Sequence, residues 1–314
     1  MTVALDLADI QGDILRAYGN AYDCTTYVFV HVGGDAAREW FGELVEHVTT
    51  AEPWAAGKPE TTLNVALTAA GLDALGVGAD VLDSFSFEFR AGMASRAAAL
   101  GDAGPSAPDA WEPGLGDGSA HVLLVVNAQT PEQLEYALGK LRAAVAAATG
   151  VKIAGEHDAR LLGGAREHFG FADGMAQPAI QGATEEKARG GGVPQQHGMW
   201  RSLAPGEFIL GYPDEDTMTD AARRLPPAPA DPLGANGTYM VWRKLHQDVA
   251  LFRRTLRAAA ARWGDGDERR LAAKIVGRWQ DGTPLAKHPD APDPSFDPSA
   301  HGANDFRYGD DLGG

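Results

Sequence analysis

An α+β fold is predicted, with antiparallel sheets and flanking helices, from three observations. Apolar periodicity in the first half runs strand, helix, strand, strand, helix, strand. That is the ferredoxin-like order, an antiparallel sheet with helices on one face. A chain of 314 residues exceeds what one small core needs and points to two compact units. The second half then adds helical patterns of its own.

The elements follow in order. Residues 25–32 are rich in β-branched and aromatic side chains and read as a strand. Gly33-Gly34-Asp35 opens a helix with Phe41, Leu44, Val45 and Val48 at helical spacing. Leu63, Val65 and Leu67 alternate as a second strand, and residues 71–75 form a short helix. Residues 122–126 are continuously apolar, which predicts a strand buried on both faces. Thr130 then starts a helix: Pro131 suits the first helical position, Gln133 completes a capping box, and Leu134, Leu138, Leu141 and Val145 form one stripe before Gly150 ends it. A last strand is expected at 151–154, closing an N-terminal domain of residues 1–160. In the remainder, 161–314, residues 206–212 and 238–242 are strand candidates. A helix is expected over 245–263 with Val249, Phe252, Leu256 and Ala260 buried, and a shorter one near 268–279. Pro289, Pro292, Pro294 and Pro298 exclude regular structure from 287–301, because each removes a backbone donor. Gly190-Gly191-Gly192 marks residues 188–198 as a mobile or ligand-wrapping loop.

Composition narrows the function classes. A net charge of −16 opposes nonspecific binding to nucleic acid or an anionic membrane. One cysteine, Cys24, excludes an internal disulfide and every multi-cysteine metal site. No basic, apolar leader opens the chain and no window approaches the ~20 apolar residues of a membrane span, so a cytoplasmic location is expected. Phosphate-loop, nucleophile-elbow and zinc-helix motifs are lacking.

The run Glu167-His168-Phe169-Gly170-Phe171-Ala172-Asp173-Gly174, followed by Met175-Ala176-Gln177-Pro178, holds an acid among glycines and aromatics. Glycine permits tight turns and close approach to a flat ligand, and an aspartate near Phe169 and Phe171 is expected to be partly desolvated, favouring its neutral form. Such a carboxyl can take and return a proton.

This run resembles the Gly-Phe-x-Asp-Gly signature of the dye-decolourising peroxidases, haem enzymes that use hydrogen peroxide. Other runs match in the family's order: Asp9-Ile10-Gln11-Gly12-Asp13-Ile14-Leu15, Phe89-Arg90-Ala91-Gly92-Met93 through Leu100-Gly101-Asp102, Gly206-Glu207-Phe208-Ile209-Leu210-Gly211-Tyr212-Pro213, Asn236-Gly237-Thr238-Tyr239 through Gln247-Asp248-Val249, and Val276-Gly277-Arg278-Trp279. The resemblance implies two ferredoxin-like units, the second incomplete. It also implies haem b as cofactor, with hydrogen peroxide and a dye or phenolic-type reductant as partners; homo-oligomerisation is left open. Asp173 is implied to accept the peroxide proton and return it to the departing oxygen, general acid and base work within hydrogen-bond reach. An ordinary aspartate titrates near pH ~4, so an acidic optimum is expected. Phe171, Gly174, Met175 and Gln177 are the candidates to lie against the porphyrin.

One departure stands out. The family's haem-ligating histidine lies in a later segment shaped like Cys-Pro-x-x-Ala-His-Ile-Arg, with a distal arginine beyond it, and neither is found before Gly314. The chain is therefore read as C-terminally truncated relative to the family. Among nine histidines, His168, five residues before Asp173, and His288 and His301 in the proline-rich tract are weak substitutes, since a ligating ring needs support from surrounding groups. His157, like His168, lies close to the aspartate run in sequence, while His31, His47, His121, His197 and His246 are expected to be structural or exposed. Arg166, Arg201, Arg243 and Arg278 are candidates for haem propionates, with ordinary salt bridges the blander role for each. Two other functions fit the missing ligand: a non-catalytic shortened relative serving as a binding or assembly module, and a haem-handling protein on the same scaffold.

Overall fold

The computed structural model describes residues 4–304 except 17, 19–21, 113, 176, 184–189, 196–198, 216–225, 227, 264–265 and 298–302. Packing divides them into two units. The first is Ala4–Arg160 with Pro205–Met240; the second is Leu161–Ala204 with the residues from Val241 onward. Compared with a division into 1–160 and 161–314, residues 205–240 pack with the first unit.

The first unit has the expected β-α-β-β-α-β order. After a short helix α1 (Gly12–Leu15) come β1 (Cys24–Val32), α2 (Asp35–Val45) and β2 (Thr61–Leu67). Four short helices, α3 (Ala69–Ala74), α4 (Ala79–Ser84), α5 (Phe87–Ser95) and α6 (Ala97–Leu100), lead to β3 (Val122–Ala128), α7 (Pro131–Ala147) and β4 (Val151–Arg160). The strands lie β2-β3-β1-β4, all pairs antiparallel, with Val28 opposite Leu124 and Leu124 opposite Val65. Alternate residues Val28, Val30, Val122, Leu124 and Val126 face Trp40 and Leu44 of α2 and Leu138, Leu141 and Val145 of α7 in one core. All seven residues of β3 are buried, so its other face is covered as well, as its unbroken apolar run predicts. The capping box forms as expected: Thr130 accepts from the Gln133 amide, and the Gln133 side chain accepts from the Thr130 amide. The final strand runs six residues further than expected, because its pairing with β1 continues to Cys24 opposite Arg160.

The motif around Asp9 serves this scaffold. The Gln11 carboxamide donates to the Val65 carbonyl and accepts from the Val65 amide, both at 2.8 Å, taking the place of a neighbouring strand on the outer edge of β2. Thr49 completes that cover through the backbone of Leu63. Gly12 cannot be larger, since a Cβ there would collide with the Tyr18 hydroxyl and the Thr50 carbonyl. Three further motifs meet in the same unit. Asn236 donates to Asp9 and accepts from the Tyr212 hydroxyl, each at 2.7 Å, and Phe89 and Tyr239 rings pack edge to face at 5.5 Å.

Two strand expectations fail. Residues 206–212 form a 3-10 turn and bends, because the Pro205 carbonyl accepts from both Phe208 and Ile209 amides and Gly211 turns at φ +85°. Residues 238–242 have no regular structure. In the second unit the described residues form a two-residue ladder, β5 (Val193–Pro194) with β6 (Trp200–Arg201), and two helices, α8 (Val249–Arg262) and α9 (Glu268–Val276). Helix α8 starts later than its apolar pattern suggests, because Asp248 caps it by accepting from the Leu251 amide at 2.7 Å. Leu256 and Ala260 are buried as expected. The described part of the proline-rich tract, 287–297, is irregular, held by the Trp279 indole donating to the His288 carbonyl at 2.8 Å.

Candidate active site

The run 165–175 folds into a turn seated on α8 and α9 by its aromatics. Phe171 is buried with Leu256, Ala260, Leu271 and Ala272, and Phe169 packs on Phe252 at 4.4 Å between ring centroids. Backbone bonds fix the rest. The Glu167 amide donates to the Phe171 carbonyl, Ala172 to Gln280, and Asp173 to Ala165, all at 2.9 Å. Arg166 donates to the Gly170 and Gln280 carbonyls, both at 2.7 Å. Beyond Asp173, Met175 lies over Gly282, and its carbonyl accepts from Asn304 at 2.8 Å, while Arg278 holds Asn304 and Ala303 in turn. Asp173 thus sits between two fastened points.

Its side chain is exposed, and its carboxylate accepts from the Gly174 amide at 2.7 Å. This corrects the expected desolvation: the rings of Phe169 and Phe171 turn into the helices, so the aspartate faces outward. Gly174 turns at φ +74°, which favours glycine, and nothing lies within 4 Å of where its Cβ would be. The inward carboxylate is Glu167. It accepts from the Phe169 amide at 2.7 Å, the Phe171 amide at 2.8 Å and the Gln247 side chain at 3.0 Å. Burial pushes its pKa up, but these hydrogen bonds outweigh burial and hold it below the usual glutamate value.

Of the remaining candidates, Phe171 is a core anchor, its ring enclosed by α8 and α9. Met175 is half-buried against Gly282, and Gln177 is exposed, reaching the Gly174 carbonyl at 3.5 Å. Arg166 and Arg278 bind backbone carbonyls within the second unit, which accounts for both as structural groups; Arg201 and Arg243 are exposed. His168 and His246 are exposed, and the His288 ring lies 3.8 Å from Asp293. His31 and His121 stack at 4.2 Å with each Nδ1 on a backbone carbonyl. His197 and His301, with parts of the glycine-rich loop, lie outside the described residues. No group of three or more His, Cys, Asp and Glu able to hold a metal ion occurs among the described residues. Sequence assigned no role to Glu167, Gln247, Gln280 or Asn304: Glu167 binds amides of its own turn, Gln247 meets the Glu167 side chain, Gln280 offers a backbone carbonyl, and Asn304 reaches Met175 from 129 positions away.

Residues 9–160 match the family described as DyP dimeric alpha+beta barrel domain. A dye-decolorizing peroxidase from Mycena epipterygia is 29% identical over 97% of this chain and 55% of its own length. Multifunctional dye peroxidase DyP2 from an Amycolatopsis species is 31% identical, over 97% of this chain and 62% of its own. An ancestral D-type dye decolorizing peroxidase of solved structure superposes with a TM-score of 0.78 at 25% identity, covering 97% of this chain and 64% of that one. The chain thus spans little more than half the length of the curated relatives it matches. Residues 9–160 thus belong to the DyP dimeric alpha+beta barrel domain family, and the chain as a whole is similar to dye-decolourising peroxidases.

Proposed function

We propose that this chain serves a haem-dependent peroxidase that uses hydrogen peroxide to oxidise dyes or phenolic-type reductants, with Asp173 as the group that moves the peroxide proton. One observation carries the reading: the backbone on both sides of Asp173 is fastened while its carboxylate stays exposed beside the open space at Gly174. A base held in place but not enclosed can take a proton from a bound peroxide and hand it to the departing oxygen without moving its own backbone. The Gly174 amide steadies one carboxylate oxygen and leaves the other to accept. Relatives named for dyes support the substrate class.

Haem, haem b in this reading, supplies the redox chemistry when bound. The described residues fit one face of it, with a carboxylate and a glycine that leaves room for a flat ring. They offer no imidazole fitted to ligate iron: His168 shares the aspartate's own turn, His246 is exposed, and His288 faces Asp293. A cytoplasmic location belongs to the same proposal, supported by composition alone.

The test is an absorption spectrum of the chain with stoichiometric haemin, before and after peroxide, followed by dye oxidation. A haem-protein band that responds to peroxide and supports dye turnover would bear the reading out for this chain. Free-haemin features alone would overturn the reading for this chain and favour a non-catalytic binding module.

A further inference from the structure

We infer that Glu167 is the positioning residue for Asp173: locked by Gln247, its carboxylate closes the turn that presents the aspartate. The inference rests on the peroxidase reading above. The two acids lie six positions apart and have opposite surroundings. Asp173 is exposed, whereas Glu167 has both carboxylate oxygens occupied, Oε1 by the Phe171 amide and Oε2 by the Phe169 amide and Gln247.

These bonds act on a single short turn. The Glu167 backbone pairs with Phe171 through its amide and with Gly170 through its carbonyl, so side chain and main chain of one residue close the same five-residue ring. That ring fixes Phe171 against the helices and points the Ala172 amide at Gln280 and the Asp173 amide at Ala165. Gln247 ties the carboxylate to the start of α8, because it directly precedes the capping Asp248. Only an ionised carboxylate accepts at both oxygens. Glutamine at 167 would set an NH₂ against a backbone N–H, and at least one of the three bonds would go. The lowered pKa of Glu167 agrees with the ionised form.

Hydrogen exchange of the haem-free chain tests this with Glu167→Gln and Gln247→Leu. Glu167→Gln is expected to speed exchange at least roughly tenfold at Phe169, Phe171 and, one step removed, Asp173, with the β-sheet amides of the first unit unchanged. Gln247→Leu should give the same pattern at smaller size and guards against a Glu167 variant that does not fold. In haem-reconstituted protein, Glu167→Gln should lower kcat and leave KM for the reductant unchanged. Protection lost at Phe169 and Phe171 but retained at Asp173 would overturn the inference, as would unchanged exchange at all three. Because exchange is read without haem, failure of the peroxidase reading leaves that pattern intact, and the two failures stay separate.

Discussion

The two units of this chain are held by different forces. In the first, apolar residues alternate along β1 and β3 and meet the stripes of α2 and α7, so stability resides in area removed from water. In the second, a small apolar cluster seats the turn, but the position of Asp173 depends on hydrogen bonds accepted by Glu167 and Gln280 and donated by Arg166 and Asn304. Apolar packing tolerates local change and fails by loss of stability, whereas a polar clasp is geometric and fails by loss of position.

Substitutions can break or sharpen this contrast. Leu124, fully buried at the centre of the sheet, should cost about 2–5 kcal/mol on change to Ala, read by denaturant unfolding; a loss below about 1 kcal/mol would show that the core does not carry the first unit. Gln11→Ala should cost about 1–3 kcal/mol by stripping both partners from Val65, and it should raise self-association by baring the β2 edge, which sedimentation would detect. Acid should open the clasp before it melts the sheet. The folded pKa of Glu167 lies below its unfolded value near ~4.3, so its contribution is present above that value and is lost as pH falls through the lower folded one. Amide shifts of Phe169 and Phe171 followed by NMR should therefore titrate below the ordinary glutamate range. The smallest effect is expected at Arg142. Its ion pairs with Glu135 and Glu156 are partly exposed, and Arg142→Ala should cost only about 0.2–1 kcal/mol, less in high salt.

What could be read from sequence follows the same division. The alternation of Leu63, Val65 and Leu67, the run at 122–126 and the Thr130 box state their structure locally, so the first unit was legible element by element. Residues 206–212 looked strand-like because apolar residues recur there, yet Pro205 and Gly211 close turns, and Leu210 meets the 236–237 segment through two backbone bonds, donating to Gly237 and accepting from Asn236. At the site, Asp173 was legible from its neighbours, but its exposure was not. The two phenylalanines that suggested an apolar setting turn toward Phe252 and Leu256, residues that only the fold brings there. Glu167 opens the run that drew attention, but its role was not legible, since a glutamate that binds backbone amides looks like any surface glutamate.

The central claim is that Asp173 moves the proton while its neighbours only hold it. The measurement is the rate of reaction with peroxide in haem-reconstituted protein, parent against Asp173→Asn. Asparagine can still accept from the Gly174 amide and so keeps the turn, but it cannot take a proton. The account predicts a rate lower by on the order of 10²–10⁴-fold with haemin affinity unchanged. Equal rates in the two proteins would contradict it.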